Sequence, residues 1–63
     1  MSKLIIDHSE LAVGDEVRLL DIFGACEFEG VIDHFGLHGY ITFVNTKHGI
    51  ISWTTAHVDK ALP

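Results

Sequence analysis

The sequence predicts an all-β fold, a small barrel of five short strands with a 3₁₀ turn before the last strand. Residues 27–45 carry the clearest signal, because two runs rich in β-branched and aromatic residues flank the connection Gly36-Leu37-His38-Gly39. This composition is typical of a β-hairpin whose loop needs a residue with positive φ. Further short runs of the same kind are separated by turns that contain glycine. An uninterrupted helical stripe of apolar residues is absent, which disfavours a helical bundle.

The first barrel strand follows a turn at residues 11–15. We predict it at Glu16–Leu20, or as far as Ile22, with Val17 and Leu19 facing the core because polar and apolar residues alternate there. The connection at residues 21–26 contains Gly24 and is the least predictable part of the chain.

The second strand is predicted at Glu27–Phe35, and its alternation separates an inner from a solvent-facing set. The inner set is Phe28, Gly30, Ile32 and His34, and the outer set is Glu27, Glu29, Val31, Asp33 and Phe35. Gly30 is expected to permit a sharp bend or a bulge. The remaining elements are strands at Tyr40–Asn45 and Ile50–Thr54, a 3₁₀ turn at Thr55–His57 and a last short strand near Val58.

The domain organisation is one barrel over residues 11–63, preceded by an arm or edge strand at residues 1–10 that carries Leu4-Ile5-Ile6. A domain of this size buries only about 60% of the surface of its unfolded chain. The single cysteine, Cys26, cannot form an intramolecular disulfide, so self-association is one way to gain stability.

The charge is unevenly distributed along the chain. Residues 1–33 hold eight of the nine acidic side chains against Lys3 and Arg18, a formal charge of −6, whereas residues 34–63 carry +1. Nucleic-acid affinity comes from clustered Lys and Arg, so a nucleic-acid partner is not expected. An acidic face that docks a basic protein is the more specific interpretation.

The N-terminus has three consecutive apolar residues, too few for a signal peptide or a membrane span. The unpaired cysteine suits a reducing compartment. We therefore expect a cytoplasmic protein without a membrane partner.

The order of turn glycines and apolar positions resembles that of small SH3-like barrels. It runs through Val13-Gly14-Asp15-Glu16-Val17, Gly30-Val31-Ile32, Gly39-Tyr40-Ile41 and Gly49-Ile50-Ile51-Ser52-Trp53, and ends with a short turn to Val58. The group includes the photosystem I subunit PsaE, KOW and Tudor modules, and type II dihydrofolate reductases. The resemblance covers about residues 11–62 and implies the fold.

The type II reductases are the most similar in spacing. Their fourth strand carries a Val-Gln-Ile-Tyr stretch that lines the pore of a tetramer, and the glutamine position falls here on Ile51 and the tyrosine position on Trp53. Because the pterin-binding amide is absent, neither enzymatic activity nor a cofactor is expected. A shared oligomeric arrangement remains an alternative.

The KOW and Tudor resemblance implies nucleic acid or a methylated side chain as the ligand. The acidic loops disfavour nucleic acid as the ligand. A Tudor-like cage would need aromatic rings that converge on one mouth. Four rings are candidates: Phe23, Phe35, Tyr40 and Trp53.

No pattern predicts a catalytic or metal site. His34, His38, His48 and Cys26 lack the spacing of familiar zinc motifs, and acidic neighbours disfavour a nucleophilic Cys26. The carboxylates of Glu27, Glu29 and Asp33 are expected to be solvated.

The third and fourth strands are apolar on both faces, which is more than a small barrel interior can hold. We therefore predict a non-enzymatic protein-interaction module that self-associates through these strands and has an acidic face for a basic partner. The surface residues chosen are Tyr40, Val44, Ile51 and Trp53 for the apolar part, and Glu27, Glu29 and Asp33 for the acidic part.

Overall fold

The computed structural model describes residues 11–61 of the chain. Within them the fold is all-β, as predicted, with a 3₁₀ turn directly before the last strand. The strands are β1 (Glu16–Leu20), β2 (Cys26–Gly36), β3 (Ile41–Thr46), β4 (Gly49–Thr54) and β5 (Val58–Lys60), and the 3₁₀ turns are Leu37–Gly39 and Thr55–His57. No helix in residues 11–61 is long and apolar enough to cross a membrane. The predicted arm at residues 1–10 lies outside the described residues.

The five strands form one antiparallel sheet in the order β4-β3-β2-β1-β5. β2 is eleven residues long and pairs with β1 over its first half and with β3 over its second half. β5 returns to pair with β1, so the chain's last described strand lies at the opposite edge of the sheet from β4. Among the strands of residues 11–61, β4 and β5 are therefore the two at the edges of the sheet.

The core lies on one face of this bent sheet. Val17 and Leu19 point into it, as the alternation of β1 predicts. Three more buried apolar residues complete the centre, namely Ile32, Val44 and Val58. Partly buried apolar side chains surround them: Leu11, Phe28, Phe35, Ile51 and Trp53.

A β-bulge in β2 reverses the side-chain orientation that the sequence predicts for the last residues of the strand. The register against β3 shifts between Ile32 and His34, which leaves Asp33 as the extra residue. Because side chains alternate along a strand, one extra residue moves every later side chain to the other face. Phe35 therefore packs against the core instead of facing solvent. The prediction that His34 points inward is wrong: its side chain is exposed and stacks on Phe43 with ring centroids 4.3 Å apart.

Gly30 is required by a close approach of β3 to β2. A Cβ atom at this position would meet the carbonyl oxygen of Asn45 and would lie 2.7 Å from Cγ1 of Val44. The glycine was expected to permit a bend or bulge, but the bulge falls on Asp33. What Gly30 permits is the close approach of β3 to β2.

The β2–β3 connection contains the positive φ that its two glycines predict. The φ angle is 92° at Gly39, but it is also positive at Leu37 (48°) and His38 (56°). Left-handed backbone is unfavourable for residues with a Cβ atom, so this connection stores some strain.

Candidate interaction surfaces

The β1–β2 loop presents two large apolar side chains to solvent. Ile22 is 79% exposed and Phe23 is 87% exposed, the highest fraction among the large apolar residues described. The loop that carries them is well ordered by hydrogen bonds. The N–H of Asp21 donates to the carbonyl of Ala25, and the N–H of Gly24 donates to the carbonyl of Asp21. The two apolar side chains are thus held in place on a structured turn.

The carboxylate of Asp21 organises this loop. Its Oδ1 atom accepts hydrogen bonds from the backbone N–H of Phe23 at 2.8 Å and of Ala25 at 2.9 Å. Hydrogen bonds to the charged form, first that from Ala25, hold the pKa of Asp21 below its ordinary value. Asp21 therefore keeps a negative charge beside the exposed Ile22 and Phe23 at neutral pH.

A groove runs between this loop and β4. Its volume is about 410 Å³, and we call it the β4 edge groove. It is lined by Leu20, Asp21 and Ile22 on one side, by Ser52, Trp53 and Thr54 on the other, and by His57 from the second 3₁₀ turn. The walls are largely apolar, and among the described residues that line them Asp21 is the only formally charged group.

Trp53 forms the floor of the β4 edge groove. Its indole Nε1–H donates a hydrogen bond to the carbonyl of Leu20 at 3.0 Å, which links β4 to the end of β1. On its core side the indole meets Phe28 edge-to-face, with ring centroids 5.8 Å apart. These contacts fix the position of the indole ring, which contributes both to the packing of the core and to the surface of the groove.

A second apolar surface covers the outside of β2, β3 and β4. Thr42, Val44 and Thr46 are buried, so the alternate residues of β3 point outward. The register aligns them with outward residues of β2 and β4 in rows such as Val31–Asn45–Ile50 and His34–Phe43–Ser52. We call this surface the outer apolar face and define it by Val31, Ile41, Phe43 and Ile50. No outward position of β3 or β4 carries a charge.

The acidic side chains nearest to this face lie on β2 and not on β3 or β4. Glu27 and Glu29 are exposed on β2, and the exposed Asp33 contacts Nδ1 of His34 at 2.7 Å. Two of the basic residues already face a carboxylate. Arg18 lies 3.1 Å from Asp59, and Lys60 lies 3.6 Å from Asp15.

The structure changes the apolar part of the predicted surface. Tyr40 is 74% exposed, but Val44 is fully buried between β2 and β4, so its placement at the surface is wrong. Ile51 packs against the core, and its neighbour Ile50 is the exposed residue of the pair, at 54%. Both faces of β3 and β4 are apolar, so the alternation alone could not distinguish inside from outside.

Sequence reasoning missed Ile22 as a surface residue and considered Phe23 only as a candidate ring of an aromatic cage. The available signal was two large apolar residues between Asp21 and Gly24, inside a segment whose composition otherwise indicates a turn. Apolar side chains in a short turn have little core to reach, which predicts exposure.

The side chains considered for chemistry do not converge. Among residues 11–61, no group of three or more His, Cys, Asp or Glu side chains is placed to hold a metal ion. Cys26 is exposed, and its thiol lies 3.4 Å from the carbonyl oxygen of Phe28. None of the aromatic ring contacts in this part of the chain joins two of the four rings proposed for a cage, Phe23, Phe35, Tyr40 and Trp53.

Comparisons with protein-family models, with curated proteins and with solved structures find no match to this chain. The loop, the β4 edge groove and the outer apolar face are therefore the features from which a function can be proposed.

Proposed function

We propose that this chain is a non-enzymatic protein-interaction module with an SH3-like barrel fold. It self-associates through the outer apolar face and presents its acidic side to a basic partner. The SH3-like assignment is supported by the strand order, in which β5 follows a 3₁₀ turn and returns to pair with β1, and by a long, bulged β2 shared between its two neighbours.

The observation that carries self-association is the separation of apolar and charged surface. The outward positions of β3 and β4 hold Ile41, Phe43 and Ile50 with only uncharged polar residues between them. Within residues 11–61 the carboxylates lie on β1, β2, β5, the β1–β2 loop and the turn before β1. Two copies of an acidic chain can therefore meet through the β3 and β4 part of this face without placing a carboxylate of these two strands in the contact.

The test is Ile50→Glu, measured by native mass spectrometry and sedimentation velocity over a concentration series. Ile50 is more than half exposed, so the variant is expected to fold. A buried carboxylate in an apolar interface is unfavourable, so the dimer population should fall at least about tenfold. The matched control is Ile22→Glu, which adds the same charge at an exposed isoleucine of the β1–β2 loop and should leave the dimer intact.

A wild-type chain that stays monomeric at all concentrations would refute self-association. Equal loss of the dimer in Ile22→Glu and Ile50→Glu would refute the placement of the interface, because net charge alone would then explain the effect.

The alternative functions have less support. A nucleic-acid module needs available basic side chains, and Arg18 and Lys60 already face Asp59 and Asp15. A reductase-like pore would need the residue at position 51 to point out of the barrel, whereas Ile51 packs against the core.

A further inference from the structure

We propose that the β4 edge groove binds an extended segment of another protein, which adds to β4 as a further antiparallel or parallel strand and carries Lys or Arg beside apolar residues. This inference rests on the proposed role as a protein-interaction module, and it names the site and the chemistry of the partner.

The groove follows the edge of β4 that no strand of residues 11–61 pairs with. Side chains alternate along a strand, so three consecutive residues can line one groove only where it runs along the strand's edge. Ser52, Trp53 and Thr54 do so. The other edge of β4 is paired with β3, and no other strand in residues 11–61 pairs with β4. The backbone N–H and C=O groups on the groove side are thus available to a ligand strand.

The two edge strands differ in how well they are protected against pairing with another chain. β5 has three residues, of which Asp59 and Lys60 are charged, and short charged edges resist pairing with other chains. β4 has six residues, Gly49–Thr54, without a charge or a proline. Only one of the two edges is therefore open to strand addition.

The walls of the groove indicate which side chains a ligand strand would carry. A strand laid along the groove would place alternate side chains against Trp53 and Leu20 below and Ile22 beside it, so apolar residues fit there. Within residues 11–61 the carboxylate of Asp21 is the only charge in the lining, and Lys or Arg complements it. At a rise of about 3.3 Å per residue, the three lining residues of β4 span about 10 Å, enough for three or four ligand residues.

A second copy of the chain fits this groove less well than a flexible segment. Each copy carries its own Asp21 loop beside the same edge of β4, so pairing β4 with β4 would bring two like-charged loops together. An extended segment without such a flanking loop avoids this contact.

The experiment is selection of random linear peptides, displayed on phage, against the full chain under reducing conditions. The enriched peptides should combine β-branched or aromatic residues with Lys or Arg and should lack central proline, which cannot donate to a strand ladder. Synthetic versions are then titrated while the fluorescence of Trp53 is followed, since it is the only tryptophan in the chain. Replacing the peptide's Lys or Arg by Glu should weaken binding about tenfold or more.

Two variants test the groove. Ile22→Ser removes an apolar wall without adding a charge that the ligand's Lys or Arg would favour, and it should weaken peptide binding about tenfold or more. Ile50→Glu, outside the groove lining, should leave peptide binding within about twofold. The failure of one proposal is thereby distinguished from the failure of the other. Hydrogen exchange should show added protection at alternate amides of β4 in the complex.

Three results would overturn the inference. The first is a selection that enriches no peptide, or only acidic or proline-rich ones. The second is loss of the dimer in Ile22→Glu but not in Ile50→Glu, which would assign the groove to a second copy. The third is displacement of the selected peptides by a synthetic peptide of residues 1–10, whose sequence includes Lys3-Leu4-Ile5-Ile6, because the groove would then belong to the chain's own N-terminal segment.

Discussion

Two buried threonines illustrate how single residues hold the strands together. Thr42 on β3 and Thr55 in the second 3₁₀ turn are buried, and their Oγ1 atoms lie 2.7 Å apart. One hydroxyl donates to the other, and the backbone N–H of Thr55 donates to the carbonyl of Tyr40 nearby. These bonds tie the turn before β5 to the start of β3. Each hydroxyl is satisfied by its partner, so the pair behaves as a unit.

Thr42→Val and Thr55→Val should each lower the free energy of unfolding by roughly 1–3 kcal/mol, because each leaves one buried hydroxyl unpaired. The double variant should lose clearly less free energy of unfolding than the sum of the losses in the two single variants. Both polar groups are then removed, and the shapes of the side chains are kept. Urea denaturation of the four proteins measures this coupling. Simple additivity of the two losses would show that the hydroxyls do not depend on each other.

At the scale of an element, the β1–β2 loop is likewise held together by the hydrogen bonds of a single side chain. One carboxylate, Asp21, accepts the N–H groups of Phe23 and Ala25 and closes a five-residue turn. The order of the loop thus depends on a charged group at the surface, and its two apolar side chains contribute to a binding surface instead of a core. An element built this way is sensitive to pH.

The pKa of Asp21 is lower in the folded chain than its ordinary value of 3.8 because of the hydrogen bonds from Ala25 and Phe23. Its charge therefore stabilises the folded state above that ordinary value, and the contribution is lost as the pH falls through the lower, folded pKa. Asp21→Asn keeps an acceptor oxygen but no charge. The urea midpoint of the wild type should exceed that of Asp21→Asn at pH 7, and the difference should narrow towards pH 3. A difference that is independent of pH would contradict the role of the charge.

For Asp21→Ala, which removes the acceptor as well, the amides of Phe23 and Ala25 should exchange faster than in the wild type at neutral pH.

At the scale of the whole molecule, charge is segregated by the sheet order. β3 and β4 form one side of the sheet and carry no acidic residue, while β1, β2 and β5 carry Glu16, Glu27, Glu29, Asp33 and Asp59. The chain as a whole has a formal charge of −5. Self-association therefore works against long-range repulsion and depends on short-range apolar contact.

Raising the salt concentration from about 20 mM to about 300 mM should increase the dimer fraction, because screening weakens repulsion between like-charged copies but leaves apolar burial intact. Sedimentation velocity at fixed protein concentration measures the change. Ile50→Glu should stay monomeric throughout the series. Dissociation of the wild type by salt would indicate an interface held by opposite charges, contrary to the proposed outer apolar face.

The face of the sheet on which a side chain lies was predictable where polar and apolar residues alternate clearly along the strand. It was unpredictable where they do not. Val17 and Leu19 alternate with charged residues, so their burial follows from the sequence. His34 and Phe35 exchanged their predicted faces because Asp33 is bulged, and no local pattern indicates which residue of a strand lacks a partner.

The candidate surface was predictable only in outline, for a related reason. An excess of apolar residues on the third and fourth strands was evident, but Val44 is buried because the register sets it opposite Ile32 and Ile51. Ile50, one residue from Ile51, is left outside. The register of three strands is a property of their pairing, so a single strand's sequence does not contain it.

Local pattern was sufficient for the strands, the glycine turns and the unequal charge of the two halves, because each depends on residues close together along the chain. Folding in three dimensions decided which face of the sheet is buried, how closely β3 approaches β2 at Gly30, and where the β4 edge groove lies. The groove in particular joins Leu20–Ile22 to Ser52–Thr54, segments about thirty residues apart that meet where Trp53 bridges to the end of β1. Contacts at that separation depend on the closure of the whole sheet, and neither segment alone specifies them.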